Sequence, residues 1–294
     1  LMLLAITCML FAISRPVAVM TLPTQHSSII LAMDISGSMR AADIEPSRLE
    51  AAQEAARQFV DDVPITTRIG LVTFAGTAAT VQMPTISRDD IHKAIDRMEL
   101  QRGTAVGSGI LMSLKTLFPK MKVNMRQRGS LRGNQPRPLR APSPKDWQFD
   151  ESDGAEPEAL EPGSVKSMAI ILLTDGHTTT GPAPADAAKI AADRGIRVYT
   201  VGFGTAEGAV IASDGWKMRV RLDEKSLQEI AEISAADYFQ ATTADELKKV
   251  YKALSAKLVF ERQRTEISSL FAALGALLSL ISAALSMIWF NRIF

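Results

Sequence analysis

The stretch 29–39, IILAMDISGSM, decides the fold. Five apolar residues run without interruption into Asp34, and Ser36 and Ser38 follow at every second position. A short continuous apolar run closed by turn chemistry reads as a strand buried on both faces, as in parallel sheets covered by helices. One Asp or Ser would end such a strand. Here three oxygen-bearing side chains at alternate positions can point the same way on the loop that leaves it.

Outward from this stretch, strand and helix patterns alternate. A helix is predicted over 48–63, with Leu49, Ala52, Ala56, Phe59, Val60 and Val63 on one stripe. A strand over 68–76 is followed by 77–85, which pairs with it, and Ser87 opens a helix whose first turn carries Asp89 and Asp90, favourable at the positive helix end. Residues 106–118 read as a helix, 167–175 as a second buried strand ending in Asp175, 184–195 as a helix closed by Gly195, and 196–204 as a third buried strand. A hairpin with SDG at its tip is expected over 208–223, then two helices, the second opened by a capping box of Thr243 and Glu246. Tyr199, Tyr238 and Phe239 read as core or sheet residues. Alternation of this kind implies an α/β fold with a mostly parallel sheet covered on both faces, which binds ligands beyond the carboxyl ends of its strands.

Composition narrows the function. Lys and Arg total 33 against 32 Asp and Glu, so bulk charge offers no attraction to nucleic acid. The single Cys8 excludes a disulfide framework or a cysteine metal site within one chain, and His26, His92 and His177 lie far apart. There is no G-x-x-x-x-G-K-[ST] loop and no G-x-S-x-G elbow. His177, two residues after Asp175, reads as an exposed loop residue.

Two segments are too apolar for a soluble domain. Residues 267–290 carry no charge, end in Trp289 and Phe290, and are followed by Arg292, the pattern of a transmembrane helix with interfacial anchors. The apolar amino-terminal segment before Arg15 and Pro16 is shorter and lacks a positive n-region, so a membrane helix that has lost an upstream piece is preferred over a signal peptide. The expected organisation is therefore a transmembrane segment over 1–20, a domain over 25–262 and a transmembrane helix over 266–290. Between about 120 and 166 the alternation breaks into a Pro-, Gly- and charge-rich stretch, basic in its first half and acidic in its second, which reads as a disordered insertion. Its place in sequence between Thr104 and Asp175 raises an effect on access to the site.

Asp34, Ser36 and Ser38 taken alone fit either a helix cap or a site for a hard cation such as Mg2+. Neutral hydroxyl ligands leave such an ion much of its positive charge, and it then attracts an outside carboxylate. Thr104, just before a helix, and Asp175, at a strand end, add oxygens at the same edge of the expected sheet.

DISGSM (34–39), GTAVGSGI (103–110) and ILLTDG (171–176) resemble, in order, the motifs of von Willebrand factor A domains. The resemblance implies a Rossmann-like, doubly wound, mostly parallel sheet with a metal-ion-dependent adhesion site formed by a DxSxS segment, a Thr and an Asp. By that resemblance Ser36, Ser38 and Thr104 would ligate Mg2+ directly, with Mn2+ or Ca2+ as alternatives, while Asp34 and Asp175 would act mainly through water. The SRP at 14–16, RGIRVYTVGFGT (194–205), LDEKSLQEIAEIS (222–234) and YFQATTADELKKVY (238–251), between two apolar segments, further resemble the bacterial membrane-anchored Bat group (BatA/BatB-like, named for aerotolerance). That implies a place in the bacterial inner membrane, a protein ligand whose acidic residue completes the metal site, and association with a MoxR-type AAA+ ATPase and other membrane VWA proteins. It implies recruitment and no catalytic residue. A Mg2+-dependent hydrolase and a surface adhesin are the alternatives. Arg262 and Arg264 against Arg292 slightly favour a cytoplasmic domain.

Overall fold

The structure is a computed structural model that describes residues 2–14, 17–21, 28–119, 160–205, 208–213, 216–220, 222–259, 262–266 and 268–290. In chain order its elements begin with α1 (Met2–Ile13), β1 (Val17–Thr21), β2 (Ser28–Asp34), a 3-10 turn (Gly37–Arg40), α2 (Arg48–Asp62), β3 (Arg68–Phe74), β4 (Ala78–Thr85), α3 (Arg88–Asp96) and α4 (Val106–Leu117). They continue with β5 (Met168–Thr174), α5 (Pro184–Asp193), β6 (Arg197–Phe203), β7 (Ala209–Ser213), β8 (Trp216–Val220), α6 (Glu224–Ile233), β9 (Tyr238–Ala241), α7 (Ala244–Val259), β10 (Arg262–Glu266) and α8 (Ser268–Phe290). Two compact units result: Thr24–Val259, and a smaller one formed by Leu1–Pro23 with Phe260–Phe294.

The larger unit is built on a six-stranded sheet of order β4-β3-β2-β5-β6-β9. All neighbours are parallel except the edge strand β4, which runs antiparallel to β3. The apolar runs are continuous because both faces are covered. Ile29, Leu31 and Met33 of β2 pack with Phe59 of α2, Ile91 of α3 and Tyr251 of α7, whereas Ile30 and Ala32 pack with Ile110 of α4, Ala188 of α5 and Ile230 of α6. From β2 the chain winds first to β3 on one side and later to β5 on the other. The winding therefore reverses between β2 and β5, where doubly wound sheets open a crevice beyond their carboxyl ends.

Local chemistry sets the helix ends. Ser47 and Ser87 cap α2 and α3 by accepting from Glu50 N–H and Asp90 N–H. Gly195, at φ +67, supplies the left-handed residue after α5. At α7 the Thr243 hydroxyl accepts from Glu246 N–H as expected, but the Glu246 carboxylate reaches one residue further back, to the N–H and hydroxyl of Thr242.

Several expectations are revised. Tyr238 and Phe239, expected as core or sheet residues, begin a sixth strand of the sheet, β9, whose extent the sequence does not mark because it has four residues and no alternation. The insertion ends earlier than 166: Leu160 N–H donates to Asp193 O at 2.8 Å and Val165 N–H to Gly195 O at 3.0 Å, tying this segment to the end of α5. Residues 120–159 lie outside the described residues, as do Asp214 and Gly215 at the hairpin tip. The insertion's ends do not flank the metal-site loops. α4 starts at those loops and runs away from them, and β5 starts at Met168, level with Ser28, about 20 Å from its carboxyl end at roughly 3.3 Å per residue.

In the smaller unit β1 pairs with β10 antiparallel, from Val17↔Glu266 to Thr21↔Arg262, and α1 lies against α8. The amino-terminal segment 1–20 is thus a 12-residue helix followed by a strand. Among the described residues no helix is long and apolar enough to cross a membrane, the side chains of α8 being described only over 272–286.

Candidate metal centre

Asp34 is the last residue of β2 and Asp175 follows the last residue of β5, so the two carboxylates stand side by side at the reversal crevice. The backbone turns at once after Asp34, because its Oδ1 accepts Ser36 N–H at 2.8 Å. Its Oδ2 accepts the Thr174 hydroxyl at 2.6 Å, and Thr174 Oγ1 in turn accepts Gly176 N–H at 3.0 Å. The short 3-10 turn brings Ser38 back, and the Ser36 and Ser38 hydroxyl oxygens lie 2.8 Å apart.

Thr104 enters from a third loop. Its N–H donates to Thr179 Oγ1 at 2.9 Å, and its carbonyl accepts from Thr179 N–H at 2.8 Å and Thr180 N–H at 3.1 Å. Gln101 N–H donates to Ile35 O at 2.7 Å, fastening the same loop to the β2 end. Direct bonds therefore join Asp34 to Ser36 and Ser36 to Ser38, the Ser38 side chain also bonds Asp175, and Thr104 is placed by the Thr179 hydroxyl together with backbone bonds of the adjoining loop. All five are buried, none more than 7 % exposed. His177 is exposed, as expected, and contributes its N–H to Asp175 Oδ1 at 3.3 Å.

The electrostatics are those of two buried carboxylates opposed by a buried cation, Arg48, whose Nη1 stands 3.7 Å from Asp175 Oδ2. Burial, then the Asp175 charge, push Asp34 up to about 7, against the opposing bonds from Ser36 and Thr174. Burial also raises Asp175, although Ser38, the His177 N–H and Arg48 oppose it. Asp175 Oδ2 is buried with no hydrogen-bond donor. A buried carboxylate oxygen without a hydrogen bond is costly, and Arg48 stands too far to supply one, which makes this atom the strongest sign that a cation belongs here. Among the described residues no three His, Cys, Asp or Glu side chains converge. The donors are two carboxylates and three hydroxyls, all hard oxygens, and such a set fits Mg2+ rather than a soft or nitrogen-loving ion.

Three participants went unread in sequence. Thr174 orients Asp34, Thr179 fixes Thr104, and Arg48 places Nη1 3.7 Å from Asp175 Oδ2. Arg48 carried a signal: a cation in the first turn of a helix opposes the macrodipole, so its place needs another reason.

Two family models described as von Willebrand factor type A domain match, over residues 29–133 and 156–253. They meet in one sheet, since β2 from the first match pairs with β5 from the second. A "UPF0353 protein" of Nocardia farcinica is 32 % identical over 94 % of the chain and 76 % of its own length. One from Mycobacterium tuberculosis is 30 % identical over 99 % and 78 %. Among solved structures, BatB from Bacteroides thetaiotaomicron superposes with a TM-score of 0.57 at 26 % identity, covering 79 % of this chain and 98 % of that one. An aerotolerance-related membrane protein from Bacteroides fragilis gives 0.54 at 25 %, covering 78 % and 98 %. A mussel byssus matrix protein, solved with a zinc-occupied MIDAS motif, shares the fold at 18 % identity, with a TM-score of 0.54 over 84 % of this chain and 49 % of that one. The chain belongs to the UPF0353 family, whose framework here is a von Willebrand factor type A domain.

Proposed function

We propose that this is a membrane-anchored recruitment domain that binds a protein partner through a divalent cation, Mg2+ first and Mn2+ or Ca2+ as alternatives. Asp175 Oδ2, buried without a hydrogen-bond donor, carries the reading. Ser36, Ser38 and Thr104 would hold the ion by their hydroxyls, with Asp34 and Asp175 behind them. When bound, the ion supplies a positive centre that can accept an acidic side chain of the partner. The chain's own residues do the preparatory work. Thr174 and Ser36 N–H hold Asp34 in one orientation, and Thr179 keeps Thr104 in place. Burial keeps bulk water from screening the two charges.

Anchoring rests on the sequence of 267–290, which runs without a charge where a bilayer core takes roughly 20 helical residues. Leu274, Leu277 and Leu280 on α8 and Leu3 and Leu10 on α1 are exposed, as lipid-facing side chains would be. α1, at 12 residues and about 18 Å, is too short to span by itself. The inner membrane, a MoxR-type AAA+ ATPase and other membrane VWA proteins are the proposed setting, by likeness to the Bat group.

The test is a pull-down from native membranes with tagged chain, in Mg2+, in EDTA, and with Asp34→Ala. A partner retained only with Mg2+ and intact Asp34 supports recruitment. The same partners in all three lanes would end this reading. A hydrolase would be revived by phosphate-ester turnover that Asp34→Ala abolishes.

A further inference from the structure

Arg48 is fully buried beneath the metal-site loops. One edge of its guanidinium is satisfied in fork geometry by Asp43, Nε to Oδ1 at 2.8 Å and Nη2 to Oδ2 at 2.6 Å. Asp43 Oδ2 also accepts the Thr205 hydroxyl at 3.2 Å. Gly204 makes room for the group: a Cβ there would lie 3.0 Å from the guanidinium carbon and both terminal nitrogens. The remaining nitrogen, Nη1, makes no hydrogen bond and stands 3.7 Å from Asp175 Oδ2, which has none either. Two buried, opposite, individually unsatisfied groups thus face each other just beyond hydrogen-bond range.

We propose that Arg48 is a resident counter-charge of the metal centre: it steadies Asp175 when no ion is bound and competes with the ion for that carboxylate. The inference rests on the metal-site reading. Asp43 is the regulator of the competition, because its bidentate hold decides how far Arg48 can commit to Asp175. The consequence is a domain that folds without its metal and binds the metal reversibly, which an unopposed buried acidic pair would not allow.

Opposite shifts test it. Mg2+ titration by calorimetry and thermal unfolding in EDTA are run on the full chain in detergent. Arg48→Met should bind Mg2+ at least tenfold more tightly than wild type and melt at lower temperature in EDTA. Asp43→Asn frees Arg48 to turn to Asp175 and should weaken Mg2+ binding at least tenfold. It replaces a partly exposed side chain, so it keeps the test alive if Arg48→Met does not fold. The double variant, which preserves net charge, should bind more tightly than wild type. A purely structural Arg48 would make every variant bind more weakly or leave affinity unchanged, and either result overturns the proposal. If wild type binds no Mg2+, the metal reading falls with it; if wild type binds and the variants do not shift in opposite directions, only the counter-charge falls.

Discussion

Replacing Asp34 by Asn should make the metal-free domain more stable while removing its metal. In wild type the ionised carboxylate is buried beside Asp175 and titrates near 7 instead of 3.8. At 1.36 kcal/mol per unit, holding it ionised costs the fold roughly 4 kcal/mol above pH 7. The amide removes that charge but not without loss. Its oxygen can still accept Ser36 N–H, whereas its NH2 meets Thr174 Oγ1, which already accepts Gly176 N–H, and the Thr174 hydroxyl proton loses its acceptor. That costs about 1 kcal/mol, leaving a net gain of about 2–3 kcal/mol, or ~5–10 °C in melting temperature for a domain of this size. The pH dependence has a definite sign. Because the folded state holds the proton more tightly than the unfolded one, the penalty is full above pH 7 and fades as pH falls toward about 4. The advantage of Asp34→Asn in EDTA should therefore be large at about pH 8 and small at about pH 5, measured by scanning calorimetry. Mg2+ should raise the melting point of wild type and not of the variant. A variant less stable than wild type in EDTA at the higher pH, or an advantage that ignores pH, would refute the reasoning.

Thr104→Ala should leave the EDTA melting point within a few degrees of wild type but lower Mg2+ affinity at least tenfold by calorimetry; an unchanged affinity would remove Thr104 from the ligand set. Gly107→Ala sets two effects against each other. Helix propensity gains about 1 kcal/mol, but the new Cβ would lie 2.4 Å from the Pro182 carbonyl oxygen, and such overpacking costs about 1–3 kcal/mol. Urea unfolding should show a net loss, together with weaker Mg2+ binding because Pro182 lies in the loop that holds Thr104. Ser47→Ala, which removes the cap of the helix that carries Arg48, should cost about 1 kcal/mol in the same assay.

What could be read in sequence was what repeats locally. The runs 29–33 and 169–173 are apolar at every position because helices cover both faces, so strand, burial and parallel pairing followed from one pattern. Asp34 and Asp175 stood out because they end those runs. Arg48 did not, since Asp43, five residues before it, marks only a local ion pair, and Asp175 meets it only when the end of β5 packs beside the start of α2. Thr174 was masked by the apolar run it closes, and its bond to Asp34 needs β2 and β5 to be neighbours. The pairing of β1 with β10 joins segments from opposite ends of the chain, a match of register that composition does not signal.

The connection that leaves α4 and returns at Leu160 has a practical meaning. Both of its attachment points lie at the amino ends of the strands, while the ligand loops occupy the carboxyl ends. Lengthening a loop costs only about 0.6 kcal/mol per doubling. Evolution can therefore vary this connection, and an experimenter can splice a fluorescent reporter into it, while the loops that present the ion keep their own anchoring bonds.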